Sequence, residues 1–111
     1  MQVYDTVNRL AKEIKESEEY VNFKMAKQAI DLNQELKNKI AEFEKARYEE
    51  QISLMQTGKS DEDKMKKVQD IYAGIVEIEE GRKYFEAELK FNVLLGDVNR
   101  IISEAVKDLL I

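Results

Sequence analysis

Side chains able to carry out chemistry are few in this 111-residue chain, because the commonest kinds are missing: His is 0 and Cys is 0. Without His the chain lacks the usual general base and the usual transition-metal ligand. Without Cys it has no disulfide, no thiolate site for zinc or an iron–sulfur cluster, and no thiol nucleophile. The remaining nucleophile candidates, Ser17, Ser53, Ser60 and Ser103, have no His to activate them. The four glycines stand far apart at 58, 74, 81 and 96, so there is no Gly-rich phosphate loop. Carboxylate pairs on one helix face, such as Glu42 with Glu49 and Glu104 with Asp108, are expected by chance in a chain with 23 acidic residues. Asp61-Glu62-Asp63 lacks the ligand spacing and internal Gly of a calcium loop and reads as a helix start, where acids are favoured. No residue is therefore given a catalytic, cofactor-binding or metal-binding role. The expectation is a protein that is not an enzyme and needs no cofactor.

The elements that would position these residues are all helical. Pro is 0 and apolar residues recur at three and four, the period of an amphipathic helix. Helices are expected at about 4–16, 18–30, 32–57, 61–79 and 82–110. Their stripes are Val3, Val7, Leu10 and Ile14; then Tyr20, Phe23, Ala26 and Ile30; then Leu36, Ile40 and Phe43; then Met65, Val68, Tyr72 and Ile75. Ser17 reads as an N-cap, and Asp31 with Gln34 has capping-box spacing. Gly58 suits a helix C-terminus. The last stripe is Tyr84, Ala87, Phe91, Leu94, Val98, Ile101 and Ala105. It is out of phase with the one before it, so a break is expected near Glu79–Gly81; one kinked helix is the alternative. The fold class is all-α: a five-helix bundle in one domain, 1–111, with a long C-terminal helix and a projecting helical hairpin. The hairpin follows from residues 44–64, whose apolar side chains are only Ala46, Tyr48, Ile52, Leu54 and Met55.

Three surfaces stand out as candidates. Beside its stripe the last helix carries Leu95, Ile102, Val106 and Leu109. That is wider than the roughly 100° face of an ordinary surface helix. If Ala87, Phe91, Leu94, Val98 and Ile101 face the chain's own helices, this second group needs another cover, and a homodimer supplies one. Leu54, Met55 and Met65 flank the hairpin tip, either as a recognition surface or as the plug that closes the hairpin. Glu88 and Asn92, one turn apart beside the stripe, form either a polar register pair or the rim of the core.

Charge is high and evenly mixed. The 18 basic and 23 acidic residues give a net charge of −5. Direct nucleic-acid binding, which needs a positive field, is disfavoured. Its one support is the lysine run Lys59, Lys64, Lys66 and Lys67. No stretch approaches the ~18 apolar residues of a membrane span. The first residues do not read as a signal peptide, so a cytoplasmic location away from membranes is expected.

The segments Tyr84-Phe85-Glu86-Ala87-Glu88 and Leu94-Leu95-Gly96-Asp97-Val98-Asn99-Arg100-Ile101-Ile102 resemble the C-terminal helix of the YlbF/YmcA family. Val3-Tyr4-Asp5, Leu10-Ala11, Ile14, Ser17-Glu18-Glu19-Tyr20 and the stretch from Asp31 to Phe43 fit as well. These are small helical proteins of Gram-positive bacteria associated with competence and biofilm control. The resemblance implies a bundle that pairs into dimers or larger assemblies, and a regulatory or adaptor role exercised through partner proteins. A complex linked to RNA processing is also part of the resemblance, so an RNA-processing accessory role is the alternative. Members of that complex carry cysteines tied to an iron–sulfur cluster. This chain has none and is more similar to the Cys-free YheA-like branch.

Overall fold

The apolar repeat and the caps account for five helices: α1 (Gln2–Glu16), α2 (Glu18–Asp31), α3 (Gln34–Thr57), α4 (Glu62–Val76) and α5 (Glu79–Val106). A 3-10 turn, Lys107–Leu109, follows α5. The computed structural model describes residues 1–110. No strand occurs among them.

Caps set most of the helix boundaries. Ser17 Oγ accepts from Tyr20 N at 3.2 Å and donates to Ile14 O at 2.6 Å, so one side chain ends α1 and starts α2. The cap of α3 differs from the capping box expected at Asp31 and Gln34. Helix α2 runs through Asp31, and Asn33 Oδ1 accepts from Leu36 N at 3.1 Å instead. Asp61 Oδ1 accepts from Asp63 N and Lys64 N at 3.0 and 3.2 Å, so the acidic run opens α4. Gly58 closes α3 in the left-handed conformation, φ 71°, which a side chain would strain.

The break between α4 and α5 falls at Glu77–Ile78, earlier than Glu79–Gly81. Ile78 N donates to Ile75 O at 3.1 Å, and Arg82 Nη1 reaches back to Val76 O at 3.0 Å. Gly81 does not break a helix. It lies buried in the first turn of α5, where a Cβ would collide with the carbonyl oxygen of Ile75 and stand 2.7 Å from its Cγ2. The glycine lets α5 start flush against the end of α4.

The core lies where α2 ends, α3 begins, α4 ends and α5 begins. Ile30, Leu36, Ile40, Phe43, Ile75 and Tyr84 form it, with Leu36 and Ile75 fully enclosed. Aromatic rings link the helices. Tyr20 and Phe23 of α2 meet Phe91 at 6.0 and 5.7 Å, and Phe23 meets Tyr84 at 5.6 Å. On the other side Phe85 meets Phe43 at 5.2 Å and Tyr72 at 4.9 Å. Helix α5 is therefore shared between α2 and the α3–α4 hairpin. Between Ala46 and Ile75 the hairpin contributes no buried residue and projects.

This bundle is open. Its extents are 48 × 38 × 17 Å and its radius of gyration is 17.8 Å, against about 13 Å for a compact chain of this length. It exposes 8807 Å², where a compact monomer of this mass exposes about 6,300 Å².

Candidate interaction surface

Exposed apolar side chains concentrate on α1 and on the second half of α5 with the turn after it. Helix α1 has a sharp apolar stripe yet buries no residue; only Leu10 and Ile14 are half-buried. Val3, Tyr4 and Val7 are exposed. On α5 every residue from Asn99 onward is exposed, as is the turn after it to Leu110. Ile101, expected to face the chain's own helices, is 60% exposed. Ala105 is exposed too. The reason is that α2 covers α5 only back to its own start at Glu18, and α1 does not continue over the remainder.

The candidate self-association residues divide accordingly. Leu95 is half-buried; Ile102, Val106 and Leu109 are exposed, with Leu109 at 83%. Leu109 lies in the 3-10 turn rather than on the α5 stripe. Charges flank the bare face but are locally neutralised. Arg100 lies 3.7 Å from both Asp97 and Glu104, and Lys12 lies 4.0 Å from Glu16. Such exposed pairs are each worth under ~1 kcal/mol, so the apolar side chains dominate the energetics of this face.

Leu54, Met55 and Met65 are exposed near the closed end of the α3–α4 hairpin. Glu88 and Asn92 are not joined by a hydrogen bond among the described residues; Asn92 is exposed and Glu88 half-buried. Glu88 instead faces Tyr84. Around that phenol stand Glu44 and Arg47 of α3. Arg47 pairs with Glu44 and sits over the Phe43 ring at 5.3 Å. Burial first, then the Glu88 charge, pushes the Tyr84 hydroxyl up to about 12. A phenol so far from neutral is a poor proton donor or nucleophile. The cluster fastens α5 to α3, and nothing in the spacing of the sequence pointed to it, since its members come from two helices.

A groove of about 640 Å³ runs between α2 and α5, with Ala26, Ala29 and Ala87 along it and Glu18, Glu80, Glu86, Lys83 and Lys90 also lining it. It is shallow and of mixed charge. Hydrogen bonding from Lys83, 3.0 Å away, holds the Glu79 carboxyl below its usual range. No group of three acidic side chains gathers to hold a metal ion among the described residues. No helix there is long and apolar enough to cross a membrane.

With this geometry in view, four similarities are informative. A family model described as control of competence regulator ComK, YlbF/YmcA, matches residues 3–107. The chain is 34% identical over 108 residues to a UPF0342 protein of Clostridium novyi, covering 97% of this chain and 95% of that one. It is 32% identical over 111 residues to a UPF0342 protein of Desulfitobacterium hafniense, covering 99% and 89%. Among solved structures, a protein of unknown function (DUF964) from Bacillus stearothermophilus aligns with a TM-score of 0.83. That alignment covers 98% of this chain and 96% of the other. Identity there is 15%, so this likeness speaks for the fold alone.

Proposed function

Because this chain belongs to the YlbF/YmcA family of control of competence regulator ComK, we propose that it is a non-enzymatic regulatory adaptor. It acts through apolar helix faces, the first of them engaged by a second copy of the chain. One observation carries the reading: the chain exposes about 2,500 Å² more than a compact monomer of its mass would. Much of the uncovered apolar area lies on α1 and the end of α5. Two chains together carry about 5,000 Å² of such excess, and obligate homodimer interfaces run from about 2,000 to 5,000 Å² over both partners, so a large dimer interface accounts for it. The family description makes a regulatory protein the class of further partner. The hairpin tip with Leu54, Met55 and Met65 stays available to it, outside the dimer face. A cytoplasmic setting goes with this role.

Sedimentation of wild type against Ile102→Glu with Val106→Glu tests the reading. Both positions are exposed, and Glu is a good helix former, so the isolated chain loses no core contact. The expected result is a dimer that becomes a helical monomer. A wild-type monomer at micromolar concentration contradicts the reading. The RNA-accessory alternative makes its own demand. It requires tight RNA binding at physiological salt, abolished when Lys64, Lys66 and Lys67 are changed together to Glu.

A further inference from the structure

We infer that α1 is an exchanged arm. Its apolar stripe docks on the C-terminal half of α5 of a second copy, and that copy's α1 docks back in the same way. The inference rests on the self-association reading and adds which surfaces meet.

Register comes first. Helix α2 lies antiparallel on α5, since Tyr20 meets Phe91 and Phe23 meets both Phe91 and Tyr84. Glu19 lies beside Val93, Leu94 and Asp97 in a shallow groove. Covering of α5 therefore stops where α2 begins. Continuing the same register through α1 places Ile14 opposite Val98, Leu10 opposite Ile102, Val7 opposite Ala105 and Val3 opposite Leu109. The α1 stripe from Val3 to Ile14 is 11 helical steps long, about 17 Å at 1.5 Å per residue; opposite it Val98 to Val106 is helical and Leu109 follows in the 3-10 turn. Stripe and face therefore match in period as far as Val106, with Leu10, Ile14 and Val98 half-buried and the other paired positions exposed. Lys15 then falls opposite Asp97, and Asp5 opposite Lys107. The one like-charged meeting, Lys12 with Arg100, is softened because each already has its own acid, Glu16 for Lys12 and Asp97 and Glu104 for Arg100.

The bend at Ser17 selects a second copy over the chain's own α5. Ser17 is extended, φ −67° and ψ 151°, and its hydroxyl bonds on both sides of the bend. A straight passage from α2 into α1 would break those bonds, whereas the bent chain already presents α1 away from its own α5. One two-fold partner satisfies both arms and both α5 ends at once, because such interfaces are self-complementary and exchange of an element is a low-cost route to them. A membrane surface is a poorer occupant. Helix α1 has three basic residues, Arg9, Lys12 and Lys15, against three acidic ones, Asp5, Glu13 and Glu16. It lacks the cationic face of an interfacial helix.

The absence of native Cys allows a clean test. The full chain carrying Leu10→Cys with Ile102→Cys is oxidised and run on a non-reducing gel, with intact mass to locate the bond. Val7→Cys with Ala105→Cys shares the register and guards against one badly angled pair. Each single variant serves as a control for random coupling. The expected result is a covalent dimer from at least one pair and none from the single variants. A disulfide within one chain at monomer mass overturns the exchange and makes the arm an internal one. No disulfide, with a dimer still seen by light scattering, overturns the arm but leaves self-association standing. No disulfide and a monomer removes both.

Discussion

Gly81 and Gly74 are both helical, but their surroundings give substitution opposite signs. At Gly81 an added Cβ meets the Ile75 carbonyl and its Cγ2. Gly81→Ala should therefore cost about 1–3 kcal/mol, the usual range for overpacking. At Gly74 nothing lies within 4 Å of the added atom. Gly74→Ala should stabilise by about 0.5–1 kcal/mol through helix propensity and a less free unfolded chain. Urea unfolding of the two variants checks this contrast, and equal effects would remove the close approach as the reason for Gly81. Tyr84 gives a pH signature. Its folded pKa is raised to about 12 from 10.0, by burial first and Glu88 second. Between those values the folded chain keeps a proton that the unfolded chain has lost, so stability falls as pH rises from 10 through 12. The loss amounts to at most about 3 kcal/mol. Tyr84→Phe keeps the ring among Phe23 and Phe85 and should flatten the decline over that window. Wild type and variant declining in parallel would mean that Tyr84 ionises freely.

The helices followed from the sequence because their apolar period is strong and their ends carry cap chemistry. At α3 the capping box was expected at Asp31, whereas the cap is Asn33, two residues later and of an equally favoured type. The structure decides for Asn33, since Leu32 N still bonds back to Ala29 O and keeps Asp31 in α2. Asn33→Ala should lose the bond to Leu36 N and cost about 1 kcal/mol, while Asp31→Ala should leave stability within ~0.5 kcal/mol. Thermal unfolding of the pair measures the difference, and a larger loss at Asp31 would reverse the assignment. The phase shift between the stripes of α4 and α5 announced a break between them. It could not fix the break to Glu77–Ile78, because Gly81 carries the stronger local signal for an irregularity. Its actual reason, room for Ile75, comes from packing between two helices.

At the scale of the whole molecule, the excess apolar width of α5 was legible in the residues, and the structure leaves Ile102, Val106 and Leu109 exposed. What could not be read was how far the chain's own helices reach along α5. That depends on one bend at Ser17, which leaves the periodicity of α1 intact while removing its cover from Ile101 and Ala105. An open bundle of radius 17.8 Å with a little-covered α1 and an uncovered helix end fits the proposed dimer, in which a second chain supplies the missing contacts. Leaving one large apolar side chain wet forgoes roughly 1.5–3 kcal/mol, and several are wet together here. Absolute mass by light scattering, on wild-type protein diluted through the micromolar range, tests this most directly. The account predicts a dimer of about 26 kDa, twice the 13.0 kDa chain. A mass of 13.0 kDa at every concentration would contradict it.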